Sequence, residues 1–359
     1  MCSGCPVCFF APPGVLLKIA ERGDAAQRDA ALRTLATSTA MRAQRAVIAS
    51  AARRLNVNPA EFSFLGPQTT EHQTVYDVHH GGDFQLPGQV ARTDDDAPVA
   101  DAAVNEAFDG SHTTYAFYKD VFDRDSLDAH GLSLISTVHF GTDYDNALWN
   151  GSQMIYGDGG GGMFVRGSLT KAIDVIGHEL THGITQFTAG LAYHRQSGAL
   201  NESFSDVFGS LVKQHSLRQS AADASWLVGE HMLDPSIEGV AVRSMKEPGS
   251  AFEFDDQPAH MKDYLDLPDD DDPHNDHGGV HLNSGIPNRA FYLAATAIGG
   301  NAWEKPGLIW YTTLTGQLKP DSDFKAAADA TVEVAGKLYG DGGSEQSAVQ
   351  KAWQTVGVL

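Results

Sequence analysis

The sequence of 359 residues contains only three cysteines, and all three precede residue 9. The rest of the chain therefore cannot form a disulfide framework. No apolar run reaches about 18 residues, the length that a membrane-spanning helix needs, so we expect no membrane contact. The N-terminus lacks a basic segment before its apolar stretch, and Pro12-Pro13 interrupt that stretch. A Sec signal peptide is therefore not predicted.

Basic residues are also scarce, with 25 Lys and Arg against 46 Asp and Glu, for a net charge of −21. This excludes a general nucleic-acid binder, because phosphate contacts need clustered basic residues. Residues 1–55 carry eight basic and three acidic residues, so this segment is +5 and the remainder is −26. We interpret the segment as an arm that docks on its own acidic body. A solvated basic tail and a tail for an outside partner are the alternatives.

The arm has the pattern of a helix. Asp24 is a capping residue before a run rich in Ala, Leu and Arg, which continues without Pro or Gly to about Leu55. A stretch rich in Gly, Asp and Thr follows, and residues 73–78 and 84–86 within it are predicted as strands. The run Gly159 to Gly162 lacks the ending of a phosphate-binding loop and is interpreted as a flexible loop.

Residues 178–182 form an HExxH motif. In a helix, His178 and His182 share one face and Glu179 lies beside them as a general base, which is typical of a zinc site. We expect these imidazoles to point away from the apolar stripe of the same helix, which comprises Ile173, Ile176, Leu180, Ile184 and Phe187. Two unrelated histidines are the alternative interpretation.

Glu202, 20 residues after His182, is the candidate third ligand. It lies on a second predicted helix, on the face opposite its apolar residues. Asp206 is one turn further along that face and could accept a hydrogen bond from a ligand histidine. Two His and one Glu fit a catalytic zinc, which keeps a fourth position for water. An ordinary exposed helix glutamate is the alternative for Glu202.

Several separated motifs carry a family resemblance. They are GHELTH, TAGLAY, SGALNES and SDVFG between residues 177 and 209, NALWNGSQM at 146–154, RSM at 243–245 and GGVHLNSG at 278–285. In this order they resemble the thermolysin family of zinc metallopeptidases over about residues 70–359. CFFAPP at 8–13, followed by a helical arm, resembles the short propeptide of protealysin-type members.

The resemblance implies a two-lobed α+β fold with zinc in the cleft between the lobes. We expect an inhibitory helical propeptide (1–67), a β-rich N-terminal lobe ending in the HExxH helix (68–190) and a mainly helical C-terminal lobe (191–359), with helices near 287–299 and 323–339. The implied function is a monomeric endopeptidase made as a zymogen and matured by cutting between about residues 55 and 75. It would act on proteins or peptides outside the cell, with a latent precursor in the cytoplasm.

The resemblance also implies roles in catalysis. Glu179 would take a proton from the attacking water and pass it to the leaving amine. Tyr193 and His281 would stabilise the negative carbonyl oxygen. Asp276, five residues before His281, would orient that histidine.

Substrate would lie extended along an edge strand. By resemblance, Asn146 and Ala147 contact its main chain and Arg243 binds the carbonyl beyond the cleaved bond. Val175 and Val242 match residues that line the pocket for the following side chain, so we expect cleavage before Leu or Phe. Whether Leu169 or Phe164 also reaches this pocket is left open.

We expect this chain to differ from the family in calcium binding. Asp174 and Glu230 match two carboxylates of the family's double calcium site. Lys213 and Ser225 stand where two further carboxylates are expected. Because calcium needs six to eight oxygens, we expect the Lys213 ammonium to neutralise this site and calcium to be absent from it.

The arm could inhibit the enzyme in either of two ways. The segment around Pro12-Pro13 could lie across the cleft, or a Cys8 thiolate could occupy the open position on zinc. Cys2, Cys5 and Cys8 could alternatively bind a separate metal or be inert. Two rival functions also remain: a catalytically silent zinc-containing protein that binds peptides, and a zinc hydrolase of esters or other amides.

Overall fold

The computed structural model describes residues 8–55 and 72–359. We refer to the first range as the arm and to the second as the body. Cys2, Cys5 and residues 56–71, which make up most of the expected processing segment, lie outside the described residues. Within the described ranges, no helix is both long enough and apolar enough to cross a membrane.

The arm consists of a short strand and two helices: β1 (Cys8–Phe9), α1 (Pro13–Arg22) and α2 (Ala25–Leu55). The side chain of Asp24 accepts hydrogen bonds from the backbone N–H groups of Ala26 and Gln27 and so caps α2. The predicted helix to Leu55 is confirmed. Helix α1 was not predicted, because the proline pair was interpreted as an interruption, whereas proline is favourable in a first helical turn.

The arm and the first half of the body share one six-stranded mixed sheet, in the order β1-β5-β6-β4-β2-β3. Strands β2, β4 and β6 are parallel, whereas β3, β5 and β1 pair antiparallel to their neighbours. The carboxyl ends of three strands therefore meet at one edge, where helix α3 begins. The bounds are β2 (Gln73–Asp77), β3 (Gln89–Thr93), α3 (Ala102–Phe122), β4 (Leu134–Val138), β5 (Ala147–Trp149) and β6 (Met154–Tyr156).

The predicted strand at 73–78 is confirmed as β2, but the one at 84–86 is wrong. Asp83–Gln85 forms a single 3-10 turn, which the Gln85 side chain closes by accepting a hydrogen bond from the Gly82 backbone N–H. The apolar residue in this turn, Phe84, is 96% exposed. Local turn chemistry therefore outweighed the strand propensity of an aromatic residue.

The second half of the body is mainly helical, apart from a two-stranded hairpin. The helices near 287–299 and 323–339 and the α+β class are confirmed. The elements are α4 (Ile173–Gln186), α5 (Arg195–Leu217), β7 (Leu227–Val228), β8 (Arg243–Ser244), α6 (Asp276–Asn283), α7 (Gly285–Ile298), α8 (Lys305–Gly316), α9 (Phe324–Tyr339) and α10 (Ser344–Thr355).

Helices α4 and α5 pack unusually closely because a glycine lies at their contact. A Cβ atom on Gly209 would lie 2.3 Å from the carbonyl oxygen of Asp174 and 2.9 Å from the backbone nitrogen of His178. As a result α4 is buried on both faces, and its imidazoles are as buried as its aliphatic residues. The face opposite the apolar stripe therefore meets α5, and the close contact brings the carboxylates of α5 to the imidazoles of α4.

Apolar burial, more than charge, holds the arm on the body. Between the described residues of the two parts only two ion pairs form, Lys18 with Asp256 and Arg33 with Asp143. Exposed pairs of this kind contribute about 0–1 kcal/mol each, whereas burying a large apolar side chain contributes about 1.5–3 kcal/mol. The arm buries Phe9, Phe10, Val15, Leu16, Ile19, Leu35 and Met41. The net charge of the arm thus accounts for little of the docking.

Candidate metal centre and peptide cleft

Three side chains from α4 and α5 converge on one point. The Nε2 atoms of His178 and His182 are 3.1 Å apart. Oε2 of Glu202 lies 3.4 Å from Nε2 of His178, and Oε1 of Glu202 lies 3.5 Å from Nε2 of His182. Ligands of a tetrahedral zinc at about 2.0–2.2 Å are separated by similar distances. Two imidazole nitrogens and a carboxylate are also the donor set that suits zinc.

The surroundings of Glu179 indicate that this centre binds a cation. Its Oε2 accepts a hydrogen bond of 2.8 Å from the backbone N–H of Trp149. Its Oε1 is buried and has no hydrogen-bond partner among the described residues. Burial raises the pKa of Glu179 to about 8. A cation and its water beside this carboxylate would satisfy the free oxygen and favour ionisation, so the residues fit a zinc ion.

The Nδ1 atoms of His178 and His182, which face away from this point, both have hydrogen-bond partners. Nδ1 of His178 lies 2.8 Å from Oδ1 of Asp206. Nδ1 of His182 lies 2.8 Å from the Asn201 side-chain oxygen and 3.0 Å from the Ser205 hydroxyl. Such partners orient a metal-binding imidazole with its other nitrogen toward the metal. Asn201 and Ser205 were missed in the sequence, although their i, i+4 spacing in α5 puts them on one face.

Asp206 connects the metal centre to the cleft. Its carboxylate accepts two hydrogen bonds from Arg243, at 2.9 Å from Nε and 2.8 Å from a terminal nitrogen. It accepts another of 2.8 Å from Asn288, which the sequence did not reveal. Burial raises the pKa of Asp206, but Arg243 and His178 outweigh burial and hold it at about 2. The group is therefore a stable buried anion.

A left-handed turn positions the third histidine. Residues Asp276 to Gly279 all have positive φ, between 48° and 82°. Glycine adopts these angles without strain, whereas His277 adopts them at a cost. The turn brings Oδ1 of Asp276 to 2.6 Å from Nδ1 of His281, while Oδ2 accepts the backbone N–H of His281. The Tyr193 hydroxyl lies 3.1 Å from Nε2 of His281 and donates to Glu202.

The arm lies in the cleft beside this centre as an extended peptide. Strand β1 pairs antiparallel with β5, so that Phe9 is opposite Leu148. The Phe10 N–H then donates to the Ala147 carbonyl at 3.0 Å. The Asn146 side chain accepts from the Ala11 N–H at 2.8 Å and donates to its carbonyl at 3.3 Å.

Two side chains of the body bind successive carbonyl groups of this peptide. Nε2 of His281 is 2.9 Å from the Phe9 carbonyl oxygen. Arg243 donates to the Phe10 carbonyl at 3.2 Å. The residues expected to bind substrate main chain and to stabilise its carbonyl oxygen thus contact one stretch of backbone. Tyr193 is the exception, because its hydroxyl is turned toward Glu202.

The Phe10 side chain fills an apolar pocket next to the metal centre. Its ring centroid is 6.0 Å from that of Phe164 and 5.6 Å from that of His178. The guanidinium of Arg243 lies over the ring at 4.5 Å. Val175, Val242 and Leu169 belong to the main hydrophobic core of the molecule, which also includes Phe10. Of the two residues left open above, Phe164 reaches the Phe10 ring.

The site combines two imidazoles and a carboxylate around a buried glutamate, and it adjoins a groove that holds an extended peptide. This combination defines a metallopeptidase site. The sequence profile "Thermolysin metallopeptidase, catalytic domain" matches residues 46–186, and "Thermolysin metallopeptidase, alpha-helical domain" matches residues 189–358. The chain therefore belongs to the thermolysin family. It is a metalloendopeptidase with the thermolysin-like fold, and the family implies zinc.

Individual relatives agree with this assignment. The "Extracellular metalloprotease" of Pectobacterium carotovorum subsp. carotovorum is 45% identical over 98% of this chain and 97% of that protein. "Protease PrtS" of Photorhabdus sp. (strain Az29) is 48% identical over 80% of this chain and 77% of that protein. The solved structure "Precursor of Protealysin, Metalloproteinase from Serratia proteamaculans" has a TM-score of 0.83 and 44% identity, covering 98% of this chain and all of that one.

Replacing Asp206 with Asn tests the link between this buried anion and the metal centre. We expect zinc affinity to fall about 10–100-fold, because a neutral amide supports the His178 imidazole less well than a carboxylate. Zinc retained after dialysis against graded chelator measures the effect, and thermal unfolding checks the fold. Asp255→Asn is the matched control, since Asp255 is a buried carboxylate held by the backbone N–H groups of Gly249 and Ala251. Equal retention in both variants would contradict the role of Asp206.

Proposed function

We propose that this metalloendopeptidase is made as a latent precursor whose arm occupies the substrate cleft, and that it cuts before bulky hydrophobic residues. One observation carries the proposal: residues 8–10 lie as an added strand on β5, and His281 and Arg243 bind the successive carbonyls of Phe9 and Phe10. In strand addition the main-chain bonds supply affinity and side-chain pockets supply specificity. An extended peptide substrate would use the same groups.

In this proposal His178 and His182, through their Nε2 atoms, and Glu202 hold the zinc ion. When bound, zinc would lower the pKa of a coordinated water and polarise the substrate carbonyl. Asp206 and Asn201 keep the two imidazoles oriented, each through the nitrogen that faces away from the metal.

Glu179 is the proposed base and proton carrier. It accepts a proton from the attacking water and passes it to the leaving amine. The Trp149 N–H holds one of its oxygens, so the other oxygen is fixed in direction. This arrangement leaves Oε1, which has no partner among the described residues, to take up the transferred proton.

His281 and Tyr193 are the proposed donors to the developing oxyanion. His281 already contacts the Phe9 carbonyl, which corresponds to the carbonyl of the bond to be cut. Tyr193 donates to Glu202 while the arm is bound, so it must turn to reach a substrate oxygen. Losing one such donor typically lowers the rate about 10²–10³-fold.

Autocatalytic processing tests the enzyme assignment of Glu179. With zinc present, we expect the precursor to lose its first 55–75 residues, with new N-termini at Phe62, Phe64 or Leu65, the Phe and Leu residues between 56 and 75. Glu179→Gln should stay intact, because no group then accepts the water proton. Intact-mass spectrometry over time measures both.

Glu238→Gln, at an exposed glutamate, is the matched control and should be processed like the wild type. A wild-type chain that stays intact and does not digest casein, even after brief cutting by a second protease, would favour the silent peptide-binding protein. Turnover of small esters without peptide cleavage would favour the ester hydrolase.

Occupation of the cleft by Phe9 and Phe10 explains latency better than a Cys8 latch. The Phe9 carbonyl faces His281 at the metal centre. Cys8 lies opposite Trp149, one residue before Phe9. We therefore expect Phe10→Ala to shorten the lag before activity, because truncating a buried phenylalanine costs about 3–5 kcal/mol.

Cys8→Ser separates the two explanations. If the cleft is blocked by strand addition, the serine variant keeps the wild-type lag, whereas Phe10→Ala has a shorter one. A serine variant that is active at once, beside a latent Phe10→Ala, would establish the thiol latch instead. Progress curves on a fluorogenic peptide measure the lag in all three proteins.

Lys213 is proposed to replace calcium. Its ammonium lies 3.1 Å from Asp174, 3.2 Å from Glu230 and 3.2 Å from the Leu227 carbonyl. Burial lowers the pKa of Lys213, but the two carboxylates outweigh burial and raise it. An internal cation thus neutralises the carboxylates that would bind the metal. Ser225 donates to Glu230 at 3.1 Å and completes the cluster.

Lys213→Glu tests this replacement. We expect the wild type to unfold at the same temperature with millimolar calcium and in calcium-free buffer at constant free zinc. Lys213→Glu should be less stable without calcium, because three carboxylates then repel one another, and calcium should restore it. Lys262→Glu, at an exposed lysine, should show neither effect. A calcium-dependent wild type would overturn the proposal.

We also propose that the enzyme is secreted and acts outside the cell as a monomer, after a latent stage in the cytoplasm. The name of the Pectobacterium relative as an extracellular metalloprotease supports secretion.

A further inference from the structure

Histidine and aspartate side chains gather at the carboxyl edge of the parallel strands, away from the peptide cleft. Asp77 ends β2, His139 follows β4 and Asp158 lies two residues after β6. Asp101 precedes α3 at the same edge. Ligands commonly bind outside the carboxyl ends of parallel strands, because side chains of several strands meet there. None of these residues contributes to the metal centre described above.

Three of these side chains are close enough to share one ion. Asp77, Asp101 and His139 each offer a ligand atom, and these atoms lie within 4.8 Å of one another. Nε2 of His139 is 3.0 Å from Oδ2 of Asp101. Two ligands at about 2.0 Å from a tetrahedral zinc are separated by a similar distance. A small movement of the Asp77 side chain would complete the set.

Hydrogen bonds already fix the atoms of Asp101 and His139 that would not bind the ion. Oδ1 of Asp101 caps α3 by accepting the Ala103 N–H at 2.9 Å, so Oδ2 is the oxygen turned toward His139. Nδ1 of His139 is 2.7 Å from Oδ1 of Asp158. A carboxylate on the far nitrogen is the usual partner of a metal-bound histidine, which it orients.

A fourth ligand is also near. Nδ1 of His79 lies 2.9 Å from Oδ2 of Asp77. The His79 ring is largely exposed and can turn toward the cluster, and a water could take the same position. Mixed imidazole and carboxylate donors suit zinc and similar transition metals, whereas calcium prefers oxygens alone.

We propose that His139, Asp101 and Asp77 form a second divalent-metal site, selective for zinc-like ions over calcium. His139 coordinates through Nε2, with Asp158 holding its Nδ1–H, and His79 or water supplies the fourth ligand.

The site would stabilise one side of the cleft. Val78 follows Asp77, and Phe140 follows His139; both pack in the apolar cluster around Phe9. An ion that joins the ends of β2 and β4 would hold this cluster together. The inference rests on the peptidase assignment only for the meaning of the cleft, since metal binding is measured without reference to activity.

Zinc titration of the precursor followed by native mass spectrometry tests the proposal. The protein carries Cys2→Ser and Cys5→Ser, so that the N-terminal thiols cannot bind zinc, and Glu179→Gln, so that the precursor stays intact; it begins with one zinc ion per chain. We expect a second zinc ion to bind at micromolar concentration and to raise the unfolding temperature, and calcium to do neither. Asp77→Asn and His139→Gln should weaken this second step at least tenfold.

His274→Gln is the matched control, because His274 forms an exposed pair with Asp272 at 2.8 Å and belongs to no such cluster among the described residues. It should bind the second ion like the parent protein. If His139→Gln does not fold, Asp101→Asn replaces it, since asparagine keeps the helix cap. Binding of one ion only, or a second step that Asp77→Asn and Asp101→Asn leave unchanged, would overturn the proposal.

Discussion

The buried carboxylate of Asp206 is the interaction on which the rest of the site depends. It joins His178 of α4, Arg243 of β8 and Asn288 of α7 to its own helix, α5. A carboxylate buried in this way costs several kcal/mol unless charged and polar partners surround it. Because it has three such partners, the imidazole at the metal centre and the guanidinium that binds the peptide are fixed relative to each other.

Strand β5 imposes a second constraint. The backbone N–H of Trp149 holds Glu179, and the carbonyl of Ala147, two residues earlier, binds the N–H of Phe10. One rigid strand therefore sets the position of the proposed base and of the peptide. The arm adds to this edge, and its Phe9 and Phe10 carbonyls thereby meet His281 and Arg243.

Cationic side chains have two different roles in this acidic protein. Lys213 forms ion pairs with both Asp174 and Glu230 and neutralises these two carboxylates internally. The basic residues of the arm, in contrast, form few described ion pairs with the body, and apolar side chains such as Leu16 hold the arm in place. Net charge thus predicted that the arm docks, but the contacts that dock it are hydrophobic.

Local spacing by itself determined the HExxH helix, the glutamate 20 residues later and the capped helix α2, because these depend on periodicity and on residue chemistry within a few turns. Family motifs extended this to Tyr193, His281 and Arg243. Only the tertiary structure decided that Asn288 contacts Asp206, that Phe10 fills the pocket with Phe164, and that His139 lies between Asp101 and Asp158. Those contacts join elements far apart in the chain, and their pairing is set by how helices and strands pack.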